Sequence, residues 1–293
     1  MSLDRDRGGI RVTAYGDVFK KALEEAAAEA AAAGKKAVEA AAKVAEANKA
    51  TKAAWTAALT AKDAKQETTG AIQENYPVTS KAMEDFGWTA KYDINHINAV
   101  LKKYGITNMD SIRLFLATCG HESELGERTI ERLNSDGTVA GHGYTPLDRG
   151  AGYIQLTHRD THLKFLKSVN DSYTGQKTAE YIANNYPWEA AAWFWSSADA
   201  KSVGKDELSF NDYSAKYGDS KGVYLITQYY VSGTDFNCPQ DIAEKIRNGT
   251  INWRVNNGRL FVDGKNICAA PSGWENVTTG RSDTYNSIVK VLR

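Results

Sequence analysis

The chain has few of the residues that build metal centres and disulfide frameworks, and it has no long apolar run. Its 293 residues include three cysteines, five histidines and five prolines. Cys119, Cys238 and Cys268 show no metal-type spacing. No apolar run reaches the length of about 18 residues that a membrane helix needs, and residues 1–7 contain no apolar signal region. The sequence therefore predicts no metal site, no cofactor and no membrane span.

The cysteines suit structural roles instead. Cys119 continues an apolar stripe, which predicts a buried core thiol. A disulfide between Cys238 and Cys268 would close a loop in the C-terminal region, but the sequence alone leaves this pairing open.

A charge excess of either sign is also missing. Lysine and arginine together number 36, aspartate and glutamate together number 36, and the formal net charge is zero. A nucleic-acid binder normally carries a basic stripe, and many enzymes that act on anionic polymers have a cationic surface. We therefore expect no nucleic-acid partner.

The first quarter of the chain is rich in alanine. Of the 43 residues from Ala22 to Ala64, 21 are alanine, and no proline occurs before Pro77. This composition predicts helix over residues 17–65, either as a stalk that binds an assembly partner or as a linker docked on the rest of the chain. Gly70 ends helical order, so we expect two units, residues 1–71 and residues 72–293.

The second unit reads as mainly helical with a small β element. Hydrophobic spacing predicts helices over residues 78–86, 94–104, 109–125, 158–169, 179–184, 188–197, 222–231, 240–248 and 282–292. Residues 251–255 and 259–262, joined through Asn257 and Gly258, predict a β-hairpin. The glycine-rich residues 138–157 predict an irregular loop.

Two glutamates give the chain its clearest chemical signal. Glu122 continues the apolar face that ends at Cys119, and Glu131 follows nine positions later. Two carboxyl groups of this kind suit glycoside hydrolysis, in which one protonates the leaving oxygen and the other activates water. At the end of a buried stripe, the carboxyl of Glu122 is expected to have a raised pKa, as a general acid requires.

A reaction that uses both glutamates also constrains the backbone between them. On one continuous helix the two glutamates would lie roughly 13 Å apart on opposite faces, whereas inverting glycosidases need their carboxyl groups about 6.5–9.5 Å apart. The helix must therefore end near Gly126 and the chain must fold back.

These residues lie within motifs that resemble glycoside hydrolase family 19, which contains chitinases and endolysins on a lysozyme-like fold. The resemblance rests on His121-Glu122-Ser123, on Glu131-Arg-Leu-Asn134 and on Gly152-Tyr-Ile-Gln-Leu-Thr157. Residues 187–195 and Arg281-Ser-Asp-Thr-Tyr285 are also similar to segments of that family. The resemblance implies a lysozyme-like α+β domain over residues 72–293, preceded by the Ala-rich segment.

Carried over residue by residue, the resemblance assigns Glu122 as general acid and Glu131 as general base. It implies that Gln155 contacts substrate and that Thr157 helps Glu131 hold the attacking water. His121, Tyr153 and Arg149 are the further residues expected to bind substrate. The chain departs from the family pattern at Ala151, Thr161-His162 and Ser232.

Plainer readings remain for several of these positions. Glu127 lies close to Glu131, and Arg128 or Arg132 would make Glu131 an ion-pair partner instead of a base. Gln155 would equally serve as an amide that satisfies backbone carbonyls. Helical spacing favours core positions for Trp188, Trp193 and Trp195, with one of them as an alternative sugar platform. No second histidine completes a zinc-protease motif after His121-Glu122.

Together these features predict an inverting glycoside hydrolase that cleaves β-1,4 bonds between N-acetylhexosamines. Bacterial peptidoglycan is the preferred polymer and chitin the first alternative. A lytic transglycosylase that uses Glu122 alone, and a non-catalytic sugar-binding or structural protein, are the other candidates. The localisation is unknown, since a wall-degrading enzyme is either secreted or part of a phage or secretion assembly, and the sequence shows no signal peptide.

Overall fold

The computed structural model forms two compact units, Met1–Gln73 and Glu74–Arg293. The structure describes residues 77–139, 145–204, 207–233, 236–271, 274 and 280–293, together with Lys21, Glu24 and Lys35, whose backbones are helical. The rest of the Ala-rich helix expected over residues 17–65 lies outside the described residues and stays a prediction, and so does the role of that segment.

The second unit is a bundle of helices with one small sheet. Its described helices are α1 (Ser80–Phe86), α2 (Ile94–Lys103), α3 (Met109–Glu122), α4 (Arg159–Ser168), α5 (Thr178–Asn185), α6 (Pro187–Ser196), α7 (Phe210–Tyr217), α8 (Lys221–Val231), α9 (Gln240–Arg247) and α10 (Arg281–Val291). A 3₁₀ turn covers Pro146–Asp148. The strands are β1 (Trp253–Asn256), β2 (Arg259–Val262) and β3 (Lys265–Ala269).

This architecture confirms the predicted mainly helical fold with a small β element. Each of the nine helices predicted for this unit is present, with ends that differ by a few residues. Helix α7 and strand β3 were not predicted. In the described part of the chain, no helix is long and apolar enough to cross a membrane.

Helix α3 lies at the centre of the unit and packs against α10, α7 and α6. Asn108 caps its first turn, because the side-chain oxygen accepts the backbone N–H groups of Asp110 and Ser111. Every residue from 114 to 120 is buried, so helix α3 is enclosed on all sides along that length. The fully buried Cys119 thiol, whose pKa burial raises, confirms its predicted place in the core.

The tryptophans of α6 also belong to the core, as their helical spacing favoured. Trp188 packs against Trp88 and Tyr153, with ring centroids 4.9 and 4.4 Å away. Trp195 is fully buried and donates its indole N–H to Ser111 Oγ at 2.9 Å. Trp193 is partly buried and packs against Phe165.

The sheet is an antiparallel meander in the order β1-β2-β3. Asn257 and Gly258 connect β1 to β2 with φ values of 48° and 66°, which confirms the predicted hairpin turn with two residues at positive φ. Asp263 and Gly264 make the same kind of turn into β3, with φ values of 47° and 80°. The Asp-Gly pair is a standard signal for this turn, so β3 could have been predicted.

Cys238, which precedes α9, forms a disulfide with Cys268 of β3. The two cysteines are 30 positions apart in sequence. The bond therefore ties the sheet to the helical part of the unit.

We expect reduction of this disulfide to lower the free energy of unfolding by about 3–4 kcal/mol, because a loop of this length regains its chain entropy in the unfolded state. Urea unfolding with and without reductant measures the change. A Cys119→Ser variant should show the same sensitivity to reductant as the parent chain. A Cys268→Ser variant that keeps a large reductant effect would contradict this assignment.

Candidate active site

The site begins where α3 stops. The hydroxyl of Ser123 donates to the carbonyl oxygen of Cys119 at 2.6 Å and accepts the N–H of Gly126 at 2.9 Å. The Ser123 carbonyl then accepts the N–H of Arg128 at 2.8 Å. The buried Ser123 side chain therefore ends the helix and closes the following turn, and the helix ends before Gly126, as predicted.

The turn needs glycine at position 126. Its φ is 93°, and an added Cβ would lie 2.7 Å from the indole of Trp88. Glu124 and Leu125 also have positive φ, at 53° and 57°, so three successive residues reverse the chain direction.

After the turn, the chain lies antiparallel to the Gly150–Leu156 segment. Isolated bridges pair Ile130 with Ala151, and Ala151 with Leu156. Ala151 is fully buried in this ladder. Its small side chain thus fits a packed core position.

The carboxylate of Glu131 is held by this ladder. Glu131 donates its N–H to the Gly150 carbonyl at 3.0 Å, and its Oε2 accepts the Gly150 N–H at 2.9 Å. Arg149 donates from Nε to the Glu131 carbonyl at 2.9 Å and pairs with Glu180 at 3.3 Å. Arg149 therefore supports the backbone of Glu131 through its side chain.

The two arginines nearest to Glu131 in sequence both contact another glutamate. Arg128 and Arg132 both pair with Glu124, at 3.2 and 3.5 Å. Glu124 is thus an ion-pair partner of both arginines. Glu127 is exposed.

Glu122, the last residue of α3, faces a buried arginine from the far end of the chain. Its Oε1 lies 2.7 Å from Nη1 of Arg281, whose side chain is only 4% exposed, while that of Glu122 is 18% exposed. Arg281 also donates to Oε1 of Gln228, and the Gln228 amide donates to Thr118 at 3.0 Å. A polar network from α3, α8 and α10 therefore surrounds the carboxyl group.

The predicted rise in the pKa of Glu122 is wrong for the free protein. Burial does raise this pKa, but the positive charge of Arg281, with smaller contributions from His121 and Arg128, outweighs burial and holds the pKa below its ordinary value. The sequence argument counted desolvation and missed the arginine, which lies 159 positions later in the chain.

Replacing Arg281 with methionine should move the pKa of Glu122 from below its ordinary value to above it, because burial then acts without the opposing charge. The titration of the Glu122 carboxyl carbon, followed by NMR, measures this change. Arg281→Lys, which keeps the charge, and Arg132→Met, which removes an exposed arginine, should each leave the pKa low. An unchanged pKa in a folded Arg281→Met protein would show that another group keeps Glu122 ionised.

The other expected ligand-binding residues occupy different environments. Gln155 has a φ of 53° and donates from Nε2 to the carbonyls of Gly152 and Arg128. These bonds match the alternative interpretation, in which the amide satisfies backbone carbonyls. Thr157 is partly buried and donates to the Gln155 carbonyl at 2.8 Å. His121 is partly buried beside Glu122.

Tyr153 lies in the core. Its ring is 5% exposed and contacts Trp88 and Trp188, and burial raises the pKa of its hydroxyl. Tyr153 therefore has a packing role beneath the turn. These contacts add nothing in favour of the expected contact with a sugar.

Three residues that support the site were not identified from the sequence. Gln228 and Arg281 belong to the network around Glu122. His162, fully buried, lies 2.7 Å from the Leu156 carbonyl and 3.1 Å from the Thr178 hydroxyl, and burial lowers its pKa. Gln228 is a lone glutamine within the mostly apolar residues 222–231, and this pattern could have indicated a buried polar contact.

Within the described ranges, no group of three or more histidine, cysteine, aspartate or glutamate side chains could hold a metal ion. The arrangement instead offers two carboxyl groups in unlike settings. Glu122 faces a guanidinium group, and Glu131 is fixed by a backbone N–H.

Comparison with known proteins gives a loose structural likeness only. No family model and no curated protein matches the chain. A solved structure of a chitinase C mutant covers 76% of this chain and 95% of its own, at 13% identity and a TM-score of 0.46. Chitinase C from Streptomyces griseus covers the same shares at 13% identity and a TM-score of 0.42.

Proposed function

We propose that this protein is an inverting glycoside hydrolase that cleaves β-1,4 bonds between N-acetylated hexosamines, with peptidoglycan as its polymer. Glu122 is the general acid and Glu131 the general base. All residues on which this rests lie in residues 72–293, so the proposal assigns the activity to that unit.

The observation that carries the proposal is the way in which Glu131 is held. The bonds of Glu131 to Gly150 fix the position and direction of its carboxylate. A base that must orient a water molecule needs such a fixed carboxylate. The helix break at Ser123 supports the proposal, because it removes the two glutamates from a single helix.

In the proposed reaction, the Glu131 carboxylate accepts a proton from water as the water attacks the anomeric carbon, and Glu122 gives its proton to the leaving oxygen. Thr157 donates to Gln155 and keeps lone pairs that can accept a bond from that water.

Arg281 lowers the pKa of Glu122, so the protonated fraction of this carboxyl group is small at neutral pH and increases as pH falls. We therefore expect kcat/KM to decrease from acidic toward neutral pH.

Glu122→Gln and Glu131→Gln should each lower turnover at least about 100-fold, because each removes one proton-transfer group. Turnover is measured as release of reducing ends from peptidoglycan, with circular dichroism as the check on folding. Glu127→Gln is the matched control, since it neutralises an exposed carboxylate in the same turn and should retain activity.

The products separate the proposal from its nearest enzymatic alternative. A lytic transglycosylase would use Glu122 without a base, so Glu131→Gln would keep near-full activity and the products would carry anhydromuramic ends. Mass analysis of the digest identifies those ends.

Substrate preference follows from the positions at which the chain departs from the family pattern. Ala151, Thr161 and Ser232 replace residues that, by resemblance, help chitinases hold N-acetylglucosamine chains, and each missing partner costs about 1–3 kcal/mol of binding. The peptide and lactyl groups of peptidoglycan supply contacts that chitin lacks. We expect faster release of reducing ends from peptidoglycan than from chitin hexamer under matched conditions. Faster cleavage of chitin hexamer would overturn the substrate assignment and leave the acid and base in place.

One observation favours a second candidate, a non-catalytic sugar-binding protein. The Arg281–Glu122 ion pair is the kind of contact that a purely structural glutamate makes. Under this alternative, Glu122→Gln and the parent chain bind peptidoglycan fragments equally, and neither releases reducing ends.

A further inference from the structure

A pocket lies on the side of α8 that faces away from Gln228. Ile226 and Tyr230 line it, and they share one face of the helix because they are four positions apart. Gln228 lies between them in sequence, roughly 200° around the helix, where it contacts Arg281. The pocket is therefore separated by α8 from the network that surrounds Glu122.

Among the described residues, aromatic and apolar side chains and one charged side chain line the pocket. Its cavity volume is about 100 Å³ and it opens to solvent, so it would enclose one group of a ligand, such as a carboxylate, while the rest of the ligand lies at the open mouth. Its lining residues are Val203, Gly204, Tyr213, Tyr217, Ile226, Tyr230, Phe236, Cys238, Gln240, Ala243 and Arg247. Among these residues, only Arg247 carries a charge.

Arg247 is held rigidly at this wall. Its guanidinium group lies over the ring of Tyr217, 4.3 Å from the centroid, and Nη1 donates to the Tyr213 hydroxyl at 3.2 Å. Its Nε is buried and has no hydrogen-bond partner. Across the described residues, no carboxylate forms an ion pair with Arg247, although the side chain is only partly exposed. A fixed, partly desolvated guanidinium without a counter-charge favours an anionic ligand.

The other lining groups indicate what the anion is attached to. Tyr217, Tyr230 and Phe236 are partly buried rings, and such rings stack against the apolar face of a ring-shaped ligand. Gln240 is exposed and adds a donor and an acceptor suited to hydroxyl and acetamido groups. Burial raises the pKa of Tyr213 to about 12, so its hydroxyl stays neutral and adds no negative charge beside Arg247.

We propose that this pocket is a second sugar site that binds a carboxylate-bearing amino sugar, with the sugar ring against the tyrosines and the carboxylate at Arg247. The choice of an amino sugar rests on the proposed function. The preference for a carboxylate rests on Arg247 alone. Such a site would hold a wall fragment whose lactyl carboxylate carries no peptide, at a distance from the cleaved bond, and it would not favour neutral chitin.

Direct binding tests this proposal without catalysis. Isothermal titration of the Glu122→Gln protein with N-acetylmuramic acid and with N-acetylglucosamine compares two sugars that differ by the lactyl carboxylate. We expect the acid to bind at least about tenfold more tightly, the increment typical of a charge-assisted hydrogen bond. Because no turnover is needed, the result is independent of whether the glycosidase assignment holds.

The variants identify the residue responsible. Arg247→Met should reduce binding of N-acetylmuramic acid to the level of N-acetylglucosamine. Lys245→Met, which removes an exposed lysine from the same helix, is the matched control and should leave binding unchanged. Equal binding of the two sugars, or unchanged binding in Arg247→Met, would overturn the proposal.

NMR gives a second measurement if Arg247→Met does not fold. The Nε–H of Arg247 is buried, so its signal is protected from exchange with water, and its absence from Arg247→Lys assigns it. This signal should shift on addition of N-acetylmuramic acid and remain in place with N-acetylglucosamine. A shift with benzoate and none with the sugar acid would mean that the pocket binds aromatic acids, which also overturns the proposal.

Discussion

The ion pair between Arg281 and Glu122 is the contact on which the candidate site most depends. It joins the end of the central helix α3 to the start of α10, and both side chains are withdrawn from water. Removal of one partner from a buried pair leaves an uncompensated charge, which typically destabilises a protein by about 3–5 kcal/mol. The same contact lowers the pKa of Glu122, so it stabilises the fold above the unfolded pKa of the carboxyl group, and this contribution is lost as pH falls through the folded pKa. One interaction thus affects both the packing of α10 and the protonation state of the proposed acid.

The helical framework could be predicted from the sequence because its causes are local. The apolar spacing in α3 predicts a helix, and the Asn-Gly pair between β1 and β2 predicts a hairpin turn. Both signals act over a few residues, and both elements are present in the structure. The break after Glu122 was also predicted, from the hypothesis that the two glutamates serve one reaction, because a single helix would hold them too far apart for it. Helix α7 has few strongly apolar residues in a regular pattern, so its sequence gives a weak helix signal. Its packing against α3 and α6 stabilises the helix in the folded protein.

The electrostatics of the site could not be predicted in the same way. Whether a carboxyl group at the end of an apolar stripe has a raised or a lowered pKa depends on which charge the fold brings to it, and Arg281 is remote in sequence. The contacts of Arg149 illustrate the same limit, because its bonds to the Glu131 backbone and to Glu180 could not be read from the sequence. Residue type and spacing identify candidate groups, but they do not say which group faces which.

The position of Arg281 also bears on when the site is completed. During synthesis the chain emerges from its N-terminus, and α10 follows every other described element of its unit. Until α10 docks, Glu122 lies at the end of α3 without its guanidinium partner, and the burial that α10 provides for α3 is missing. Glu122 and Glu131 are therefore made long before they can adopt the arrangement described above, and a nascent chain with both glutamates does not yet have the completed site.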